Sequence, residues 1–167
     1  QPALQAEMYG VIGRAYTNLA LYESAEPILQ EALDVSIRTF GENHLEVAQS
    51  RDHLAGLYLD QGRYDEAESL YREALRTKDQ LPDIPSSEIS ETLNKLATTL
   101  RLKGSYIIAD SLYREALSMR RSHFGNKHPL VAESLSDIAS NSHFLGDYES
   151  SEAFYREALE IQQNTLP

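Results

Sequence analysis

The side chains that could do chemistry are histidines, carboxylates, hydroxyls and tyrosines. There is no cysteine, which removes disulfides, thiolate nucleophiles and zinc–cysteine sites together and fits a cytoplasmic location. The five histidines are His44, His53, His123, His128 and His143. His44 and His128 stand 84 residues apart in two similar stretches, Phe40-Gly41-x-x-His44 and Phe124-Gly125-x-x-His128, so they read as turn residues. His123 and His128 lie across a glycine-containing link rather than on one helical face, and no metal site is expected. No glycine-rich phosphate loop, Gly-x-Ser-x-Gly or His-Glu-x-x-His is present. Glu73, Glu115 and Glu157 recur at a fixed interval and read as solvated helix positions. The chain therefore reads as non-catalytic, with no cofactor.

The interval itself is the strongest signal. Gly62 to Leu75 reads Gly-Arg-Tyr-Asp-Glu-Ala-Glu-Ser-Leu-Tyr-Arg-Glu-Ala-Leu. Related copies start their core at Tyr22, Tyr106 and Tyr148, each 42 residues from the next. Three close on Tyr-Arg-Glu-Ala-Leu, and the first on Leu29-Gln30-Glu31-Ala32-Leu33. A fixed period in this range marks a stacked repeat array. The ten tyrosines could suggest a stacking platform for bases, but Tyr22, Tyr64, Tyr106 and Tyr148, like Tyr71, Tyr113 and Tyr155, follow the period, so they read as packing residues with hydroxyls at the rim.

Each copy reads as two helices. In the second, Val47, Leu54, Leu57 and Tyr58 fall at helical spacing over about 45–61, Gly62 supplies a turn, and Ala67, Leu70, Tyr71, Ala74 and Leu75 form a wide apolar stripe. The first copy has helices over about 3–19 and on to about 39, with Pro27 placed in the tolerant first turn of the second. Asn43 with Glu46 resembles a helix start, Pro129 suits a first helical position, and Asp147 is a candidate N-cap. The link Leu81-Pro82-Asp83-Ile84-Pro85 is stiff and non-helical. The boundaries are about 3–40, 45–80, 87–122 and 129–165, one array over 1–167, with Leu166-Pro167 after the last helix. The start at Gln1 and the end at a repeat boundary suggest a piece of a longer protein.

These residues resemble the tetratricopeptide repeat. The small positions of the first helix are Gly13, Ala55, Ala97 and Ala139; those of the second are Ala25, Ala67, Ala109 and Ser151, then Ala32, Ala74, Ala116 and Ala158; Leu29, Tyr71, Tyr113 and Tyr155 are large between them. The 42-residue period with its Phe-Gly-x-x-His link is similar to the kinesin light chain type. The resemblance implies an all-α fold, an α-solenoid of four helix-turn-helix units forming part of a right-handed superhelix. It also implies a concave groove lined by first helices, which binds a partner protein or peptide segment. The inward positions would be Arg14, Thr17, Asp52, Leu59, Asn94, Thr98, Arg101, Ser136, Ser140 and His143. They vary where packing residues repeat, as a recognition surface would. On this reading Asp52, Asn94 and Arg101 could be replaced together with loss of binding and little loss of stability.

Charge narrows the partner. The formal net charge is −11, with 26 acidic against 15 basic residues. That field opposes nucleic acid and anionic lipid and favours a protein partner with basic segments. No apolar run approaches membrane-spanning length. Two alternatives stand beside a free-standing scaffold. Repeats of this type resemble docking arms of bacterial signalling proteins such as serine/threonine kinases. The apolar stripe of the last helix, Phe154, Tyr155, Ala158, Leu159 and Ile161, would support self-association through exposed repeat ends.

Overall fold

The structure, a computed structural model, describes residues 1–165. The expectation for Leu166-Pro167 lies outside the described residues. Among the described residues eight helices follow one another: α1 (Pro2–Asn18), α2 (Tyr22–Phe40), α3 (Leu45–Asp60), α4 (Tyr64–Gln80), α5 (Ser86–Leu102), α6 (Tyr106–Phe124), α7 (Pro129–Phe144) and α8 (Tyr148–Thr165). No strand occurs among the described residues. The chain divides into two compact halves, Gln1–Ile84 and Pro85 onward. In the N-terminal half α1 packs on α2 and α3 on α4, with α2 and α1 both touching α3; the C-terminal half repeats this with α5 to α8.

One turn, used four times, makes each pair. Gly62 N–H donates to Leu59 O (3.0 Å) and Arg63 N–H to Tyr58 O (2.8 Å), the paired bonds of a Schellman motif. Gly104 with Ser105 and Gly146 with Asp147 repeat it. The middle residue has a left-handed φ near +74 to +82°, which glycine adopts without penalty. In the first pair Ala20 holds the same position at φ 56°, with Ala20 N–H to Thr17 O at 2.8 Å and Leu21 N–H to Tyr16 O at 2.9 Å. The sequence departs from glycine there, yet the backbone does not.

Small residues set how closely the helices approach. Ala25, Ala32, Ala48, Ala55, Ala67 and Ala74 are fully buried in the N-terminal half, and Ala97, Ala109, Ala116, Ala132 and Ala139 in the other. Between them sit the fully buried Leu29, Tyr71 and Tyr113. At Gly13 the approach is closer still, because a Cβ there would lie 2.4 Å from Leu29 Cδ2. The pairing is selective: glycine faces a branched leucine in the first repeat, while the others combine alanine with tyrosine. Ser151, where the other repeats have alanine, is buried and donates to Ala139 O at 2.8 Å, so its hydroxyl is satisfied inside the core.

Several expectations change. Pro27 is the sixth residue of α2, past the first turn, since that helix begins at Tyr22. Asn43 is not the α3 cap; His44 holds that place without a side-chain cap bond, and its ring stacks on Phe40 at 4.7 Å. His128 stacks on Phe124 at 4.3 Å, and its Nδ1 accepts from Leu130 N–H at 3.2 Å, capping α7. Asp147 caps α8 as the sequence suggests, accepting from Ser150 N–H at 3.1 Å. The periodic tyrosines do not share one environment: Tyr71 and Tyr113 are core, whereas Tyr148 and Tyr155 are exposed because no described helix packs beyond α8.

Candidate functional site

The first helices α5 and α7 lie against each other in the C-terminal half and carry six of the expected groove residues. Asn94 is 6% exposed, and its Nδ2 donates to Asp137 Oδ2 at 2.8 Å. Its Oδ1 has no hydrogen-bond partner among the described residues. A buried acceptor left unmatched costs about 1–3 kcal/mol, so it stands out. Asp137 is driven up from the usual carboxylate range, first by burial, against the opposing Asn94 hydrogen bond; Glu133 raises it further, while Arg101 and Arg120 lower it.

One turn further on, Thr98 Oγ1 donates to Asn94 O (3.0 Å) and lies 2.9 Å from Tyr113 Oη. With its only proton committed to the backbone, Thr98 accepts from the tyrosine. Burial pushes the Tyr113 phenol up, which keeps that donor protonated. Arg101 Nε donates to Tyr113 Oη at 3.4 Å, and its guanidinium lies 5.9 Å from the centre of the Phe144 ring. Asn94, Thr98 and Arg101 are therefore held by neighbours and not loose on a solvent face. Ser136 Oγ turns back to Ala132 O at 3.0 Å, Ser140 is half-buried, and His143 is exposed at the helix end.

Asn94 also lines a cleft of about 290 Å³ with Ser87, Ser90, Lys95, Arg120 and Glu133. Arg120 also lines the cleft but is only 3% exposed, donating to Leu130 O (2.9 Å), Ser134 Oγ (2.8 Å) and Glu133 Oε1 (3.3 Å). Sequence reasoning overlooked Asp137 and Arg120. Arg120 carried a readable signal: it follows Ala116 by one turn on the apolar stripe, a place where a charge must be buried and partnered.

The N-terminal half brings less together. Asp52 was expected to face a partner; instead it is buried and pairs with Lys78 Nζ at 2.8 Å, a lysine whose side chain is only 1% exposed. Its charge is used internally. Replacing Asp52, Asn94 and Arg101 together would thus break buried contacts, and near-unchanged stability is not the outcome the structure supports. Arg14 is exposed, Thr17 Oγ1 bonds back to Gly13 O at 3.0 Å, and Leu59 is half-buried.

No helix among the described residues is long and apolar enough to cross a membrane. No curated protein sequence matches the chain. Among solved structures, BtubC (BKLC) from P. vanneervenii superposes with TM-score 0.87 at 22% identity, over 100% of this chain and 67% of that one. Nearly identical TPR-like repeats of a Podosopora anserina kinesin-light-chain-type protein give 0.85 at 18%, over 100% and 79%. Aspartyl phosphate phosphatase F from Bacillus subtilis gives 0.84 at 14%, and the chain spans 42% of its length. At these identities the likeness is one of fold, an all-α TPR solenoid of kinesin-light-chain-like repeats. The tetratricopeptide repeat profile matches residues 4–80 and 88–164, nearly the whole chain. The four helix pairs, with their alanine contacts and repeated turn, belong to the tetratricopeptide repeat family, whose repeats generally mediate protein–protein interaction.

Proposed function

We propose that the chain is a non-catalytic interaction scaffold whose α5–α7 face holds a protein segment by its backbone. The observation that carries this reading is the Asn94 carbonyl, buried, unmatched and lining a polar cleft. An incoming backbone N–H would satisfy it, converting an internal cost into a recognition contact. At the same cleft the exposed Lys95–Glu91 pair and the exposed Glu133 would meet polar and charged groups of the segment, while the buried Arg120 stays engaged within the chain. Exposed ion pairs contribute about 0–1 kcal/mol each, so affinity would come from several contacts. The chain's negative field would favour a segment with basic residues outside the cleft.

The test is titration calorimetry with a peptide selected from a displayed random library on the immobilised chain. Asn94→Leu keeps the side-chain volume, removes the carbonyl and should weaken binding at least ten-fold. Asp137→Leu disturbs the same pair, leaves the carbonyl and should hold affinity within a few-fold. Equal affinity for wild type and Asn94→Leu would reject the site.

A further inference from the structure

The Asn94–Asp137 couple is not something the repeat requires. One period either side of Asn94 stand Asp52 and Ser136, and one period before Asp137 stands Lys95, so helix pairing does not demand an amide facing a carboxylate. An ionised carboxylate can only accept, so Asp137 fixes the Asn94 amide with its nitrogen inward, Nδ2 to Oδ2 at 2.8 Å, and Oδ1 is the amide atom left without a donor. The couple thus carries two costs, a carboxylate desolvated by burial and an unmatched carbonyl oxygen. One proton relieves both. Protonated, Asp137 gains an O–H donor for Asn94 Oδ1 while its other oxygen still accepts from Nδ2, and an acid–amide pair closes with two hydrogen bonds in place of one.

The surroundings leave this proton site open. Burial is the largest influence on Asp137 and pushes its carboxyl up; Glu133, one turn before it on α7, acts in the same direction. Arg101 from α5 and Arg120 from α6 oppose them, but Arg101 donates to Tyr113 Oη and Arg120 to Leu130 O, Ser134 Oγ and Glu133. Tyr113 stays a neutral phenol, because burial pushes it up as well. Beside Asn94 on α5, Lys95 pairs with Glu91 at 2.7 Å. On α8, which also packs on α7, Glu152 pairs with Arg156 and Glu157 with Arg121. His143 near the end of α7 sets its edge against Phe144 and Tyr148.

We infer that Asp137 gates the Asn94 site: a proton on Asp137 and a backbone N–H of the bound segment compete for the Asn94 carbonyl oxygen, so acid releases the segment. The inference rests on the docking reading above and adds its regulation. Linkage is reciprocal, so the bound segment must also make Asp137 harder to protonate. Below the Asp137 midpoint, full competition weakens binding about ten-fold per pH unit. The probe is a library-selected peptide without Asp, Glu or His, titrated calorimetrically into the chain at stepped pH. In parallel, NMR follows the Asp137 carboxyl and the Asn94 side-chain amide with no peptide present. In wild type the Asn94 amide should titrate at the Asp137 midpoint, and affinity should fall as stated below it. Asp137→Leu removes the competing proton, keeps every other titrating group including His143, and should bind with nearly constant affinity over the same range. Asp137→Asn places a permanent N–H donor beside Asn94 Oδ1 and should bind about ten-fold more weakly than wild type at neutral pH. A merely structural Asp137 would give the two variants the same behaviour. An affinity that ignores pH in wild type, the same fall in Asp137→Leu, wild-type affinity in Asp137→Asn, or an Asn94 amide that does not follow Asp137 would overturn the gate and leave the docking site standing. Equal neutral-pH binding by wild type and Asn94→Leu would instead remove the site, and the gate with it.

Discussion

Ala20→Gly should stabilise this protein. Ala20 sits at φ 56° in a turn where Gly62, Gly104 and Gly146 sit at +74 to +82°. A left-handed L-residue costs about 1–2 kcal/mol. Glycine removes that cost but loosens the unfolded chain, giving back about 0.4–1 kcal/mol. The methyl group is exposed and buries nothing. The net gain should be about 0.5–1 kcal/mol, roughly a two- to five-fold rise in the folding constant. The reciprocal change is equally clean: a Cβ on Gly104 meets no atom within 4 Å, so Gly104→Ala isolates the backbone term and should cost a similar amount. Urea unfolding read separately in each half, by hydrogen exchange of α1–α2 and α5–α6 amides, assigns the change to its own half. Repeat arrays can melt piecewise, so a single global midpoint is the wrong readout. Destabilisation by Ala20→Gly, or no penalty from Gly104→Ala, would refute the reasoning.

Further outcomes follow from the packing. Gly13→Ala should cost about 1–3 kcal/mol by overpacking against Leu29, and Gly13→Ala with Leu29→Tyr, the combination the other repeats use, should recover most of it in urea unfolding. Lys78→Met should cost about 3–5 kcal/mol by stranding the Asp52 carboxylate, whereas Lys78→Met with Asp52→Leu should be far milder, as measured in a double-mutant cycle. Asp137 binds its proton more tightly folded than unfolded, so it contributes a destabilising term that is absent below the unfolded carboxylate range and grows as pH rises through the folded pKa. The stability advantage of Asp137→Asn over wild type should therefore shrink as pH falls from neutral through the carboxylate range, seen in urea midpoints across pH.

The helix pairs were legible because packing enforces identity at the period: Ala25, Ala67 and Ala109 must be small wherever two helices touch, and the sequence keeps them so. Chain reversal was legible at glycines and hidden at Ala20, where an ordinary residue carries the strain. The candidate site was harder to read. Asp52 and Asn94 lie on first helices, but their partners, Lys78 and Asp137, lie 26 and 43 residues away, and no spacing rule links a charge to a partner on another helix. The clue lay in the other direction, in Lys78 and Arg120 falling on apolar stripes one turn after Ala74 and Ala116.

The recognition claim is tested most directly by the Asn94 side-chain amide itself. On adding the library-selected peptide to 15N-labelled protein, its NH₂ resonances should move in step with saturation, together with the backbone amides of Lys95 and Thr98. A peptide that saturates the chain while leaving the Asn94 amide in place would contradict the account.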